Sequence, residues 1–202
     1  MKQGSTVAIV TPFTTTGKVD FPSLRRLLQF HIKSETDGLC ILGTTGEASL
    51  LTMDERKSVL DVAVEEVKGK IPIMVGTGAI DPAEVKSMTL QAIDCGCDAS
   101  LIVTPPYIKP PPRGLVKHFT SMADLGLPVV MYNVPGRTAV DMSPETIALC
   151  AKEHPNIVAV KEATGDVSRV EAIRSLTGDL EKPFLLYKPV GRACVKISET
   201  SL

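Results

Sequence analysis

The stretch IPIMVGTGAIDPAEVKSMTLQAIDCGCDASLIVT, residues 71–104, decides the fold. It opens on a continuous apolar run, 71–76, and closes on another, 99–104, the pattern of strands covered on both faces. Between the two, Asp81 followed by Pro82 marks a helix start. The acid caps the free amides, the proline supplies a helical φ in the first turn, and Glu84 follows. Strand, helix and strand within roughly 30 residues make one βα repeat of a parallel sheet.

The same punctuation recurs on both sides. Further strands are expected over residues 6–11, 38–43, 128–132, 157–161 and 184–187. Thr52-Met-Asp-Glu55 is a capping box ahead of an apolar helical stripe. Ser143-Pro144 repeats the cap-then-proline start, with Glu145 in the first turn. Leu24, Leu27, Leu28 and Ile32 give a helical stripe after Phe21-Pro22. The even spacing, with no dinucleotide-type glycine turn, favours a (β/α)8 TIM barrel over a doubly wound sheet. Such barrels run to about 250 residues, whereas these 202 residues supply six units and a seventh strand. The expected class is therefore α/β, a TIM barrel truncated after strand 7 and left incomplete, with residues 1–187 as a single domain. Residues 188–202 read as a divergent tail with room for at most one poor strand near 193–197. Strands 1 and 7 are then expected to carry unpaired edges. The proline-rich segment 105–114 is expected to be a stiff loop.

Composition excludes several classes of function. The 22 Lys+Arg and 23 Asp+Glu leave a net charge of −1, with no basic stripe for nucleic acid or a membrane surface. No apolar run approaches the roughly 18 residues of a membrane span. A cytoplasmic location is expected, or a plastid if a transit peptide lies outside this sequence. The five cysteines include Cys95-Gly-Cys97, which lacks CxxC spacing, and His31, His118 and His154 show no ligand spacing. No metal site and no organic cofactor are expected.

In a parallel barrel the chemistry sits at the carboxyl ends of the strands. Lys161 closes the apolar run 157–161, so its amine is expected at the mouth, where poor hydration favours the neutral nucleophilic form. The alternative is a strand-end lysine reaching solvent or pairing with Glu162. Tyr107 and Tyr132, two of three tyrosines, also fall at strand ends and could pass protons to a hydroxyl such as Thr44 or Thr45. Gly43-Thr-Thr-Gly-Glu47 makes a glycine-flanked turn suited to a small carboxylate or phosphate. Arg137 offers a planar donor for a second carboxylate.

Four ordered motifs carry a specific resemblance. Gly43-Thr-Thr-Gly-Glu47, Val103-Thr-Pro-Pro-Tyr107, Tyr132-Asn-Val-Pro-Gly-Arg-Thr138 and Val160-Lys-Glu-Ala-Thr-Gly-Asp166 resemble those of the dihydrodipicolinate synthase family. That family lies in the class I pyruvate-dependent lyase/aldolase superfamily with N-acetylneuraminate lyase. The resemblance runs from about Gly4 to Tyr187 and implies condensation of pyruvate with L-aspartate 4-semialdehyde to 4-hydroxy-tetrahydrodipicolinate, in diaminopimelate and lysine biosynthesis. It implies Lys161 as the Schiff-base lysine and Tyr132 as proton donor and acceptor. Thr44 and Tyr107 would share its relay, Tyr107 reaching across from a neighbouring subunit. It further implies Thr45 for the pyruvate carboxylate, Arg137 for the aldehyde's carboxylate, a homo-tetramer, and no cofactor. A related pyruvate-dependent aldolase and an inactive truncated fragment are the alternatives, since residues 188–202 do not match the family.

Overall fold

The computed structural model describes residues 4–190 and 193–196, with side chains through residue 188. The elements alternate as the apolar runs and helix starts require. In order they are β1 (Ser5–Ala8), α1 (Phe21–Lys33), β2 (Gly38–Ile41), α2 (Met53–Val67), β3 (Ile73–Gly76), α3 (Pro82–Cys95), β4 (Ala99–Val103) and α4 (Pro112–Ala123). There follow β5 (Val129–Asn133), the single turn α5 (Pro135–Thr138), α6 (Pro144–Glu153), β6 (Ile157–Glu162), α7 (Ser168–Thr177), β7 (Leu185–Val190) and β8 (Ala193–Lys196).

The helix starts behave as their chemistry dictates. The Thr52 hydroxyl accepts from the Glu55 amide at 3.2 Å, and the Glu55 carboxylate accepts from the Thr52 amide at 2.9 Å, completing the capping box. Asp81 accepts from Ala83 N–H at 2.8 Å, and Ser143 from Thr146 N–H at 3.3 Å. Asp20 caps α1 in the same way, accepting from Ser23 N–H at 3.0 Å. The proline-rich loop is shorter than expected. Pro112 opens α4, because a proline at the first helical position gives up an amide that would lack a partner there.

Seven consecutive parallel strands, β1 to β7, form the wall of a TIM-type barrel, each paired with the next. The expectation of unpaired edges is corrected. β8 runs antiparallel to both neighbours, with Thr6 of β1 and Pro189 of β7 each opposite Cys194, and the ladder closes. A parallel eighth strand would need a crossover of a dozen or more residues, whereas an antiparallel return needs only about two. The short tail therefore suffices. β7 also runs on through residues 188–190, which the sequence reading placed in the tail; residue 197 of the expected last strand lies outside the described residues.

The core has two shells. One apolar cluster inside the barrel includes Ala8, Cys40, Met74, Leu101, Val130, Tyr132, Ala159 and Tyr187. Between strands and helices lie two larger clusters, one around Leu24, Leu28, Leu39, Val59 and Ile73, the other around Ile102, Phe119, Met131, Ile147 and Val160. Successive strand residues alternate between the shells, which fixes what each strand end presents to the mouth.

Candidate active site at the carboxyl ends of the strands

Strand parity places the central pair. In β6, Ala159 belongs to the inner cluster and Val160 to the outer, so Lys161 returns to the inside and Glu162 to the outside. In β5, Val130 and Tyr132 lie inside while Val129 and Met131 lie outside. Tyr132 and Lys161 are direct partners in the ladder, and the Lys161 amine lies 4.4 Å from the centroid of the Tyr132 ring. That contact holds the amine over the ring face. Tyr132 is 9% exposed and Lys161 is half-buried, so the pair is sheltered yet reachable from the mouth. Tyr187 of β7 is the other ladder partner of Lys161 and is fully buried. The sequence reading gave Tyr187 no role; its place at the end of an apolar strand is the signal that could have flagged it.

The turn after β2 is built by backbone constraint. Leu42 and Glu47, with φ of 55° and 53°, bracket Gly43–Gly46 in the left-handed region that non-glycine residues seldom occupy. Thr11 pins the turn by donating its buried hydroxyl to the Gly46 carbonyl at 2.7 Å. A Cβ on Gly76 of β3 would sit 2.1 Å from the Leu42 carbonyl oxygen, so only glycine lets the two strand ends approach. The Gly46 and Glu47 amides bond within the turn to Gly43 and Thr44 carbonyls, which narrows the expected anion nest to the amides of Thr44 and Thr45. Thr44 is exposed and Thr45 half-buried.

Tyr107 and Arg137 are both exposed. Tyr107 has φ of 72° and is 85% exposed, projecting from the loop before α4. Its amide donates to the Thr138 carbonyl at 3.2 Å, and the Thr104 hydroxyl donates to that of Thr138 at 3.1 Å. The loop is thereby tied to α5, the turn that carries the exposed Arg137. The structure brings Lys161 and Tyr132 together. Among the described residues no hydrogen bond joins Tyr132 to Thr44 or Tyr107.

Behind the pair lies a polar cluster of Asn133, Asp141, Glu162 and Arg169, of which the sequence reading named Glu162 only as an alternative partner of Lys161 and did not name Asp141 or Arg169. Asn133 donates to both Glu162 oxygens at 3.1 and 3.2 Å and to Asp141 at 2.9 Å. Arg169 donates to Glu162 at 3.3 Å and forks onto Asp141 at 3.0 and 3.2 Å. Burial pushes the His118 imidazole down to about 4, and it lowers His31 from its ordinary value as well. Among the described residues no cluster of His, Cys, Asp and Glu could hold a metal ion, and no helix is long and apolar enough to cross a membrane.

Comparison with known proteins agrees with this geometry. Residues 1–188 match the model of the dihydrodipicolinate synthetase family. The 4-hydroxy-tetrahydrodipicolinate synthase of Geobacter metallireducens is 48% identical over 180 residues, covering 89% of this chain and 61% of that protein. The crystal structure of dihydrodipicolinate synthase from Aquifex aeolicus superposes with a TM-score of 0.87 at 38% identity, over 93% of this chain and 63% of that one. The chloride-inhibited dihydrodipicolinate synthase of Acinetobacter baumannii, solved with pyruvate, gives a TM-score of 0.87 at 44% identity, over 92% and 63%. The chain thus spans about three fifths of the length of the curated relatives it matches. With seven parallel strands, a lysine at the end of the sixth and the match running to residue 188, the chain belongs to the dihydrodipicolinate synthetase family.

Proposed function

We propose that this chain carries the pyruvate-binding centre of a Schiff-base lyase that condenses pyruvate with L-aspartate 4-semialdehyde to 4-hydroxy-tetrahydrodipicolinate. The observation that carries the reading is the Lys161 amine held 4.4 Å over the Tyr132 ring at the barrel mouth. The amine attacks the ketone carbon and water leaves, forming a protonated imine with pyruvate. A methyl proton then departs, and the enamine adds to the aldehyde carbon. Each proton moves over a few ångströms, which suits hydroxyls in a water-poor site, and Tyr132, whose ring lies beneath the amine, supplies one.

The other roles extend from this centre. Thr45 and the two free amides of its turn receive the pyruvate carboxylate. Arg137 receives the carboxylate of the aldehyde. Thr44 and Tyr107 complete the proton relay, Tyr107 from a neighbouring copy, since in its own chain it points to solvent. That reading entails a homo-oligomer, a tetramer in the complete enzyme, working in the cytoplasm without a metal or organic cofactor. The span of three fifths of its relatives favours one other reading, a fragment that keeps the lysine centre without full turnover.

A panel of aldehydes tests the assignment. Pyruvate should be consumed with L-aspartate 4-semialdehyde in preference to sugar-derived aldehydes, and Arg137→Ala should weaken that preference. Because Arg137 is exposed, the loss should be near the low end for a charge-assisted hydrogen bond, about tenfold. Equal use of an uncharged sugar aldehyde, or no effect of Arg137→Ala, would refute the assignment of the second substrate.

A further inference from the structure

The Tyr132–Lys161 pair has a counterpart one residue further along, on the other side of the sheet. Asn133 and Glu162 are ladder partners immediately beyond it, buried to 0% and 5% exposure between the strands and the helices. A carboxylate at that depth is costly unless its lone pairs are met. Glu162 meets them with the Asn133 amide at 3.1 and 3.2 Å, the Thr164 N–H at 3.0 Å and Arg169 Nε at 3.3 Å. Asn133 in turn accepts from the Met142 N–H at 3.0 Å, and Arg169 donates to the Met142 carbonyl. Four segments are tied at one point: the ends of β5 and β6, the approach to α6 and the first turn of α7.

The ladder itself gives a reason for such a tie. The register between β5 and β6 slips at Val129/Val130, where Val129 faces Ile157 but Val130 faces Ala159. A slipped ladder does not by itself fix which residues meet at its far end. An apolar cluster of the same shape would hold the helices as firmly as buried charges do, but it would not specify one register.

We propose that Asn133, Glu162 and Arg169 are positioning residues for the Lys161–Tyr132 pair: their network fixes the carboxyl ends of β5 and β6 after the slip and so sets the amine over the ring. The proposal rests on reading Lys161 as the imine-forming amine. Displacing a reacting group by about 1 Å can cost about 100-fold in rate.

The test uses the whole chain with Glu162→Gln, Arg169→Gln and the double variant, each checked for a cooperative melt. Pyruvate is trapped on Lys161 with borohydride over a range of pyruvate concentrations. Each single variant should lower the rate at saturating pyruvate by about 10–100-fold, with the half-saturating concentration little changed. The double variant should be no worse than the more impaired single, since both act through one network. A folded variant that traps at the wild-type rate, or losses that simply add, would overturn the proposal. If Glu162→Gln does not fold, Arg169→Gln decides, because Arg169 is only half-buried at a helix start. If the wild-type chain traps no pyruvate, the functional reading fails instead. The network is then judged by acetic anhydride labelling of Lys161 relative to exposed Lys117, a ratio that both variants should change and that would refute the proposal by staying constant.

Discussion

At the scale of single residues, the reading of the mouth turns on one ladder rung. Tyr132 and Lys161 face each other, and parity alone sends both side chains inward. That Lys161 and Tyr132 close strands was legible in the sequence, because each ends an apolar run; the side that Tyr132 faces comes from the packing of its strand. Asn133 and Glu162 were not legible as a pair. Their meaning depends on a ladder register and on Arg169 of a helix that follows, and neither is written in local spacing. Thr44 and Tyr107 were legible as strand-end residues, and both are exposed, Tyr107 to 85%. If Tyr132 moves the protons, Tyr132→Phe should still admit slow adduct formation on Lys161, with turnover reduced about 10²–10⁴-fold. Unimpaired turnover in that variant, followed with both substrates, would remove the tyrosine from the reaction.

At the scale of elements, the helices follow their start signals closely. The capping box at Thr52 and the cap-then-proline pairs at Asp81 and Ser143 all open helices. The single turn α5 escaped the sequence reading because four residues carry no periodicity. One helix also sets a pH dependence. His118 on α4 is buried, its ring edge-on to Phe119 with centroids 5.2 Å apart, and burial depresses its imidazole to about 4 from 6.5. Above pH 6.5 the ring is neutral in both states and stability is complete. As pH falls from 6.5 toward 4, the unfolded chain gains a proton that the folded chain refuses, so stability declines by an amount on the order of 3 kcal/mol. Urea midpoints measured across pH 7 to 5 should fall for the native sequence and fall less for His118→Leu. Identical slopes would place the dependence in other groups.

At the scale of the whole molecule, closure depends on an element the sequence reading all but dismissed. The sequence offers room for at most one poor strand near 193–197, with little chain after β7 to carry it to strand 1, whereas β8 forms over Ala193–Lys196. A parallel strand there would need a crossover of a dozen or more residues. The antiparallel hairpin needs no crossover, and it covers both β1 and β7. Deleting residues 191–202 should expose two apolar edges at once. The shortened chain should lose its cooperative melt and aggregate; a soluble, cooperatively melting product would mean that β8 contributes little to closure.

The central claim is that Lys161 is the amine that takes pyruvate, and its most direct test is covalent. The 202-residue chain is incubated with pyruvate, reduced with borohydride, digested and mapped by mass spectrometry, alongside Lys161→Ala. The account predicts a reduced pyruvyl group on the peptide bearing Lys161 and none anywhere in the variant. Label on a different lysine, or equal label in Lys161→Ala, would contradict it.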